Sequence, residues 1–181
     1  MPEKGFKRKL TAILSADVVG YSRLMDDDEE ATVRVLYAYR DLMNALIKQH
    51  HGRVVDTTGD NLLAEFTSVV DALNCSVKVQ KELAERNADL SPERRLEFRI
   101  GVNVGDVIEE EGRIYGDGVN IAARVESMAE AGGICISGRA YDQVANKLYL
   151  GYENLGERQV KNISTPIRIF RITVGLPEGT A

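Results

Sequence analysis

The chain has 181 residues, 44% of them hydrophobic and 28% charged, ordinary values for a globular protein able to bury a substantial core as one domain. Its formal net charge of −5 and pI of about 5.2 exclude a broad basic nucleic-acid surface, but not a local cluster of donors around a small anion. No run approaches the ~20 apolar residues of a membrane span, and Leu10 to Leu14 is too short for the core of a secretory signal, so the chain reads as cytoplasmic.

Lys9 to Asp17 is a short apolar run entering a polar turn, the pattern of a central buried strand. After it, Val18-Val-Gly-Tyr-Ser22 turns into a helix. The acidic cluster Asp26-Asp-Asp-Glu-Glu30 precedes a helix whose apolar positions are Val33, Leu36, Tyr37, Leu42, Met43, Leu46 and Ile47. Acidic residues suit a helix start, and Gly52 is expected to end this helix behind His50 and His51. Arg53 to Thr58 and Asn61 to Phe66 form a hairpin about Gly59-Asp60. Ser68 caps a helix running to about Arg86, and Asn87 to Arg95 is a polar loop.

Leu96 to Val104 alternates as a strand with one buried face, and Gly105 to Ile114 reads as a second hairpin. A helix over about Gly118 to Ala129 follows, then strand Ile134–Ser137, helix Gly138–Lys147, a strand near Tyr149–Leu155 and a last strand Ile167–Val174. Cys75 and Cys135, without metal-ligand spacing, read as buried free thiols. The order predicts an α+β fold, a ferredoxin-like βαββαβ core with additional C-terminal α/β elements. One domain is expected over residues 1–174, with 175–181 as a tail or linker.

Three segments carry candidate chemistry. Asp17 and Asp60 each stand where a strand enters a turn, and paired carboxylates at strand ends suit Mg²⁺ or Mn²⁺. Taken singly, each is also an ordinary turn residue. The backbone of Val18, Val19, Gly20, Tyr21 and Ser22 can present N–H groups to phosphates. Asn120 and Arg124, four apart on a helix, share a face, which is either solvated surface or a place to hold charge on phosphorus.

Ala16-Asp-Val-Val-Gly-Tyr-Ser22, Thr57-Thr-Gly-Asp60 and Tyr115-Gly-Asp-Gly-Val-Asn-Ile-Ala-Ala-Arg124 together resemble the signature segments of class III adenylate/guanylate cyclase catalytic domains. Leu155 to Ile163 and Pro166 to Phe170 fit as well, so the resemblance runs from about Lys7 to Ile172. It implies that Asp17, Asp60 and the Val18 backbone hold two divalent metal ions, Mg²⁺ or Mn²⁺. It implies cyclisation of ATP or GTP in a head-to-tail homodimer, the aspartates from one subunit and Asn120 and Arg124 from the other. Asn120 would orient the ribose, Arg124 would stabilise the transition state, and Lys161 would contact terminal phosphates. The hairpin Thr58-Gly-Asp-Asn61 lacks the adjacent acidic pair of palm-type diguanylate cyclases.

The resemblance fails at the base-reading positions. ATP-selective members usually have lysine four residues before the second metal aspartate, and aspartate or threonine seven before the asparagine. Here Asp56 and Arg113 stand there. Three explanations follow: guanine preference, a mutually bonded pair with a loose ATP site, or a degenerate domain that binds nucleotide or partner without turnover. The tail Gly175 to Ala181 reads either as a plain chain end or as the point where a longer parent protein, with sensor or effector domains, continues.

Overall fold

The computed structural model describes residues 6–173. The elements in chain order are β1 (Lys7–Val18), α1 (Tyr21–Asp27), α2 (Glu29–Gln49), β2 (Gly52–Thr58), β3 (Asn61–Phe66), α3 (Val69–Ala88) and β4 (Phe98–Glu110). They continue with β5 (Arg113–Tyr115), α4 (Asp117–Ser127), β6 (Ile134–Ser137), α5 (Gly138–Val144), β7 (Tyr152–Arg158) and β8 (Ile167–Ile172). All strands join one sheet in the order β2-β3-β1-β4-β6-β8-β7, with β5 paired to the far end of β4. The β2-β3-β1-β4 half is antiparallel throughout, the expected ferredoxin-like core. β6 extends it by pairing in parallel with β4.

Side chains alternate between sheet faces along a strand, and β1 uses both. Ala12, Leu14, Ala16 and Val18 pack with buried residues of α1, α2, α3 and α5 in the main core. Ile13 points the other way, into a smaller cluster with Leu63, Val107, Ile114 and Ala122 of α4. Each fully buried Val, Leu, Ile or Phe side chain in these clusters contributes about 1.5–3 kcal/mol.

The helices begin where capping chemistry dictates. Asp28 accepts from the Ala31 amide at 3.1 Å and opens α2, with Glu29 and Glu30 in its first turn. Ser68 accepts from the Asp71 amide at 3.1 Å and opens α3. The acidic cluster therefore separates two helices, as a structural device, and Arg94 pairs with Asp27 and Asp28.

Several expectations need correction. α2 ends at Gln49, and His51, not Gly52, takes the left-handed conformation (φ 65°) that stops it. Gly52 opens β2 instead, where a side chain would strike the Phe66 ring at 2.6 Å. Tyr37 is exposed and Tyr39 is the buried aromatic, its hydroxyl donating to Asn87 at 2.6 Å. The strand expected to bury one face belongs to β4, buried on both faces over residues 100–105 because α4 covers the side opposite α3. It also runs on into the second hairpin as one strand to Glu110. α5 stops at Val144, and β7 starts three residues later than expected, at Tyr152. Burial pushes the Cys75 thiol up to about 12 and Cys135 up to about 11, as befits inert core cysteines. The expected tail over residues 175–181 lies outside the described residues.

Candidate active site

Asp17 is the penultimate residue of β1, and Asp60 lies in the turn between β2 and β3. The backbone joins them: the Val18 N–H donates to Asp60 Oδ2 at 2.9 Å. Gly59 makes the turn with φ 59°, and the Arg40 guanidinium of α2 donates to its carbonyl oxygen. The hairpin tip is thus tied to a strand end on one side and a helix on the other.

Two residues that sequence reasoning missed surround Asp17. Arg99 lies directly opposite it across the β1–β4 pairing. Its Nε and Nη2 donate to Oδ1 at 3.2 and 3.1 Å, and Nη2 also reaches Oδ2 at 3.2 Å. Beside them Glu126 of α4 is almost fully buried, accepting from Ser15 Oγ at 3.2 Å and lying 3.6 Å from Arg99 Nη2. Burial pushes the Glu126 carboxyl up to about 8, helped by a hydrogen bond to Asp17 and by its charge, against the pull of Arg99 and Ser15. Desolvation beside a second carboxyl therefore favours the neutral form of Glu126. The available sequence signal was a charged residue on the inward face of a helix, beside Ala122 and Val125. For Arg99 there was none without knowing the strand register.

The phosphate-cradle expectation is narrowed. The Val18 amide is committed to Asp60, and the Val19 amide donates to the Glu97 carbonyl at 2.8 Å, so neither cradles phosphate in this conformation. Gly20 caps α1 with φ 69°, and the first-turn amides of Tyr21 and Ser22 have no intrahelical acceptor.

α4 carries the second group of residues. It lies close on the sheet because Gly101 of β4 and Gly118 of α4 leave no side chain between them and the opposing backbone. Asn120 and Arg124 sit on its exposed face. With Lys161 and Asn162 of the β7–β8 connection they line one cleft of about 400 Å³. The sequence-chosen Asn120, Arg124 and Lys161 are thus brought together. Asp17 and Asp60 do not line that cleft. Asp56 follows a register shift in β2, and Arg113 is exposed at the start of β5. Among the described residues no ion pair joins them.

The donor set near Asp60 and Asp17 fits hard divalent cations: two carboxylates and the Val18 carbonyl, all oxygen. Among the described residues no group of three His, Cys, Asp or Glu side chains could hold a metal on its own. The fit is therefore to an ion that completes its shell with water or other oxygen ligands from outside the chain.

Residues 7–173 match the family described as the adenylate and guanylate cyclase catalytic domain. The putative adenylate cyclase 3 of Rhizobium meliloti is 41% identical over 171 residues, which is 94% of this chain and 29% of that protein. The crystal structure of an adenylate/guanylate cyclase/hydrolase from Silicibacter pomeroyi superimposes with a TM-score of 0.88 at 38% identity, covering 96% of this chain and all of that one. The guanylyl cyclase Cya2 superimposes at 0.80 with 27% identity over 98% of each chain. No helix among the described residues is long and apolar enough to cross a membrane. With residues 7–173 matched by the family and the whole sheet superimposing on a solved member, the chain belongs to the adenylate and guanylate cyclase catalytic domains.

Proposed function

We propose that this domain is a purine nucleotide cyclase that converts ATP, or alternatively GTP, to the 3′,5′-cyclic monophosphate and pyrophosphate at the interface of a head-to-tail homodimer. The observation that carries the reading is the division of the site. Asn120, Arg124 and Lys161 line one cleft, and the Asp17–Asp60 pair is not part of it. Two chains placed head to tail supply each pair of half-sites with its complement.

Asp17, Asp60 and the Val18 carbonyl would hold the two divalent ions, which when bound supply Lewis acidity toward the attacking and leaving oxygens. The chain's own residues do the positioning. Asn120 holds the ribose so that its 3′ oxygen faces the α-phosphorus. That oxygen gives its proton to water and bonds to phosphorus, while the bond to the bridging oxygen of the leaving pyrophosphate breaks. Arg124 offers planar donors where negative charge grows on the phosphoryl oxygens. Lys161 neutralises the departing phosphates. Asp56 and Arg113 occupy the base-reading positions. The domain would act in the cytoplasm in signalling, within a longer protein, since it spans only 29% of the putative adenylate cyclase 3 it resembles.

A second reading has one observation in its favour: Arg99 occupies the carboxylate of Asp17. A domain resting in that state would bind nucleotide or a partner without turnover. Purified protein supplied separately with ATP and GTP, each with Mg²⁺ or Mn²⁺, decides between them. Cyclic product and pyrophosphate that disappear in Asp17→Ala support the enzyme. Nucleotide binding without product, at concentrations that support a dimer, supports the regulatory module.

A further inference from the structure

We infer that Arg99 is a built-in counter-cation for the metal half-site: it neutralises Asp17 when no metal is bound, and must swing aside for a metal to enter. The inference rests on the reading of Asp17 and Asp60 as the metal-holding pair.

Geometry carries it. The guanidinium reaches both carboxylate oxygens of Asp17, with contacts of 3.1 to 3.2 Å. A divalent ion on the same carboxylate would stand within a few ångströms of a fixed positive charge, a strongly unfavourable placement at a half-buried site. The two cannot share Asp17 in this arrangement without mutual cost.

Arg99 also has somewhere to go. Its Nη1 already reaches the Ser127 carbonyl at 3.4 Å, and its Nη2 lies 3.6 Å from Glu126 Oε2. Ser15 holds the Glu126 carboxyl in place. A rotation about the side-chain bonds transfers the fork from Asp17 to these oxygen acceptors at the end of α4. An ordinary cross-strand ion pair needs no second berth. The register that sets Arg99 opposite Asp17 and the helix end that receives it belong to one device.

The device sets the metal affinity of the resting site, so Arg99 is a positioning residue toward the metal. The test is Mn²⁺ binding, without nucleotide, followed by the electron paramagnetic resonance of free Mn²⁺. It compares wild type, Arg99→Gln, Arg99→Lys and Asp17→Asn, with folding checked by circular dichroism. Arg99→Gln should tighten binding through Asp17 by at least about tenfold, and Arg99→Lys should stay near wild type. Unchanged or weaker binding in Arg99→Gln, with Asp17→Asn still abolishing the wild-type site, would overturn the device while leaving the metal pair standing. Absence of Asp17-dependent binding in every variant would overturn both. If Arg99→Gln does not fold, the Arg99 Nε–H resonance of wild type under Mg²⁺ titration serves instead. It should shift as the fork leaves Asp17, and an unmoved resonance at saturation would refute the swing.

Discussion

Gly101→Ala is a change of one methyl group with an outsized expected effect. Gly101 sits in β4 with Ser15 of β1 on one side and Cys135 of β6 on the other. A Cβ there would lie 2.3 Å from the Glu126 amide nitrogen, 2.6 Å from its Cα and 2.7 Å from the Ala122 carbonyl oxygen. All three are backbone atoms of α4, so no side-chain rotation relieves the overlap. The helix must lift by about 1 Å before the contact becomes ordinary. Overpacking of this kind costs about 1–3 kcal/mol, and each kcal/mol lowers Tm by about 2–4 °C in a domain of this size. Because α4 also carries Asn120 and Arg124, the same displacement should lower cyclase turnover by about 10²-fold. Gly105→Ala is the matched control, since its Cβ would meet nothing closer than Gly118 Cα at 3.5 Å. Thermal melts and product formation on the two variants decide the matter. Equal behaviour of Gly101→Ala and Gly105→Ala would refute the tight seating of α4.

Three more outcomes are expected. Arg124→Ala should cut kcat by about 10²–10³, the usual cost of one preorganised charge donor, while binding of a non-cyclisable nucleotide analogue falls far less. In metal-free buffer, the folded state holds a proton on Glu126 that the unfolded chain gives up above its ordinary value of 4.5. That stability is complete below 4.5 and is lost as pH rises to about 8. Glu126→Gln, which cannot ionise, should therefore gain on wild type between pH 5 and 8 in urea melts, by up to a few kcal/mol at about 1.4 kcal/mol per pH unit; parallel pH profiles would count against it. Asp56→Lys combined with Arg113→Asp should raise cyclic AMP formation if base reading limits the use of ATP. No gain in a folded, dimeric variant would remove that explanation.

What the sequence disclosed and what it withheld follow from the range of the interactions. β3, β6 and the cap of α3 are legible to the residue because alternation, turn chemistry and a capping serine are local signals. The double burial of β4 is not, because it depends on which helix covers which face. The termination of α2 at His51 instead of Gly52 shows tertiary packing overriding a glycine signal: Phe66 claims the space at Gly52. At the site, Asp17, Asp60, Asn120 and Arg124 stand in contiguous motifs that a reader can recognise. Arg99 and Glu126 reach Asp17 only through strand register and helix docking, which no linear spacing records. The commitment of the Val19 amide to Glu97 was hidden for the same reason.

If the catalytic site is divided between two chains, mixing two inactive variants restores it. Asp17→Ala lacks one half-site and Arg124→Ala the other, so each alone should form almost no cyclic nucleotide. In a random mixture about half the dimers are mixed, each with one intact site of two, so activity should return to roughly a quarter of wild type. A mixture as inactive as its components, with subunit exchange demonstrated, would contradict a site shared between subunits.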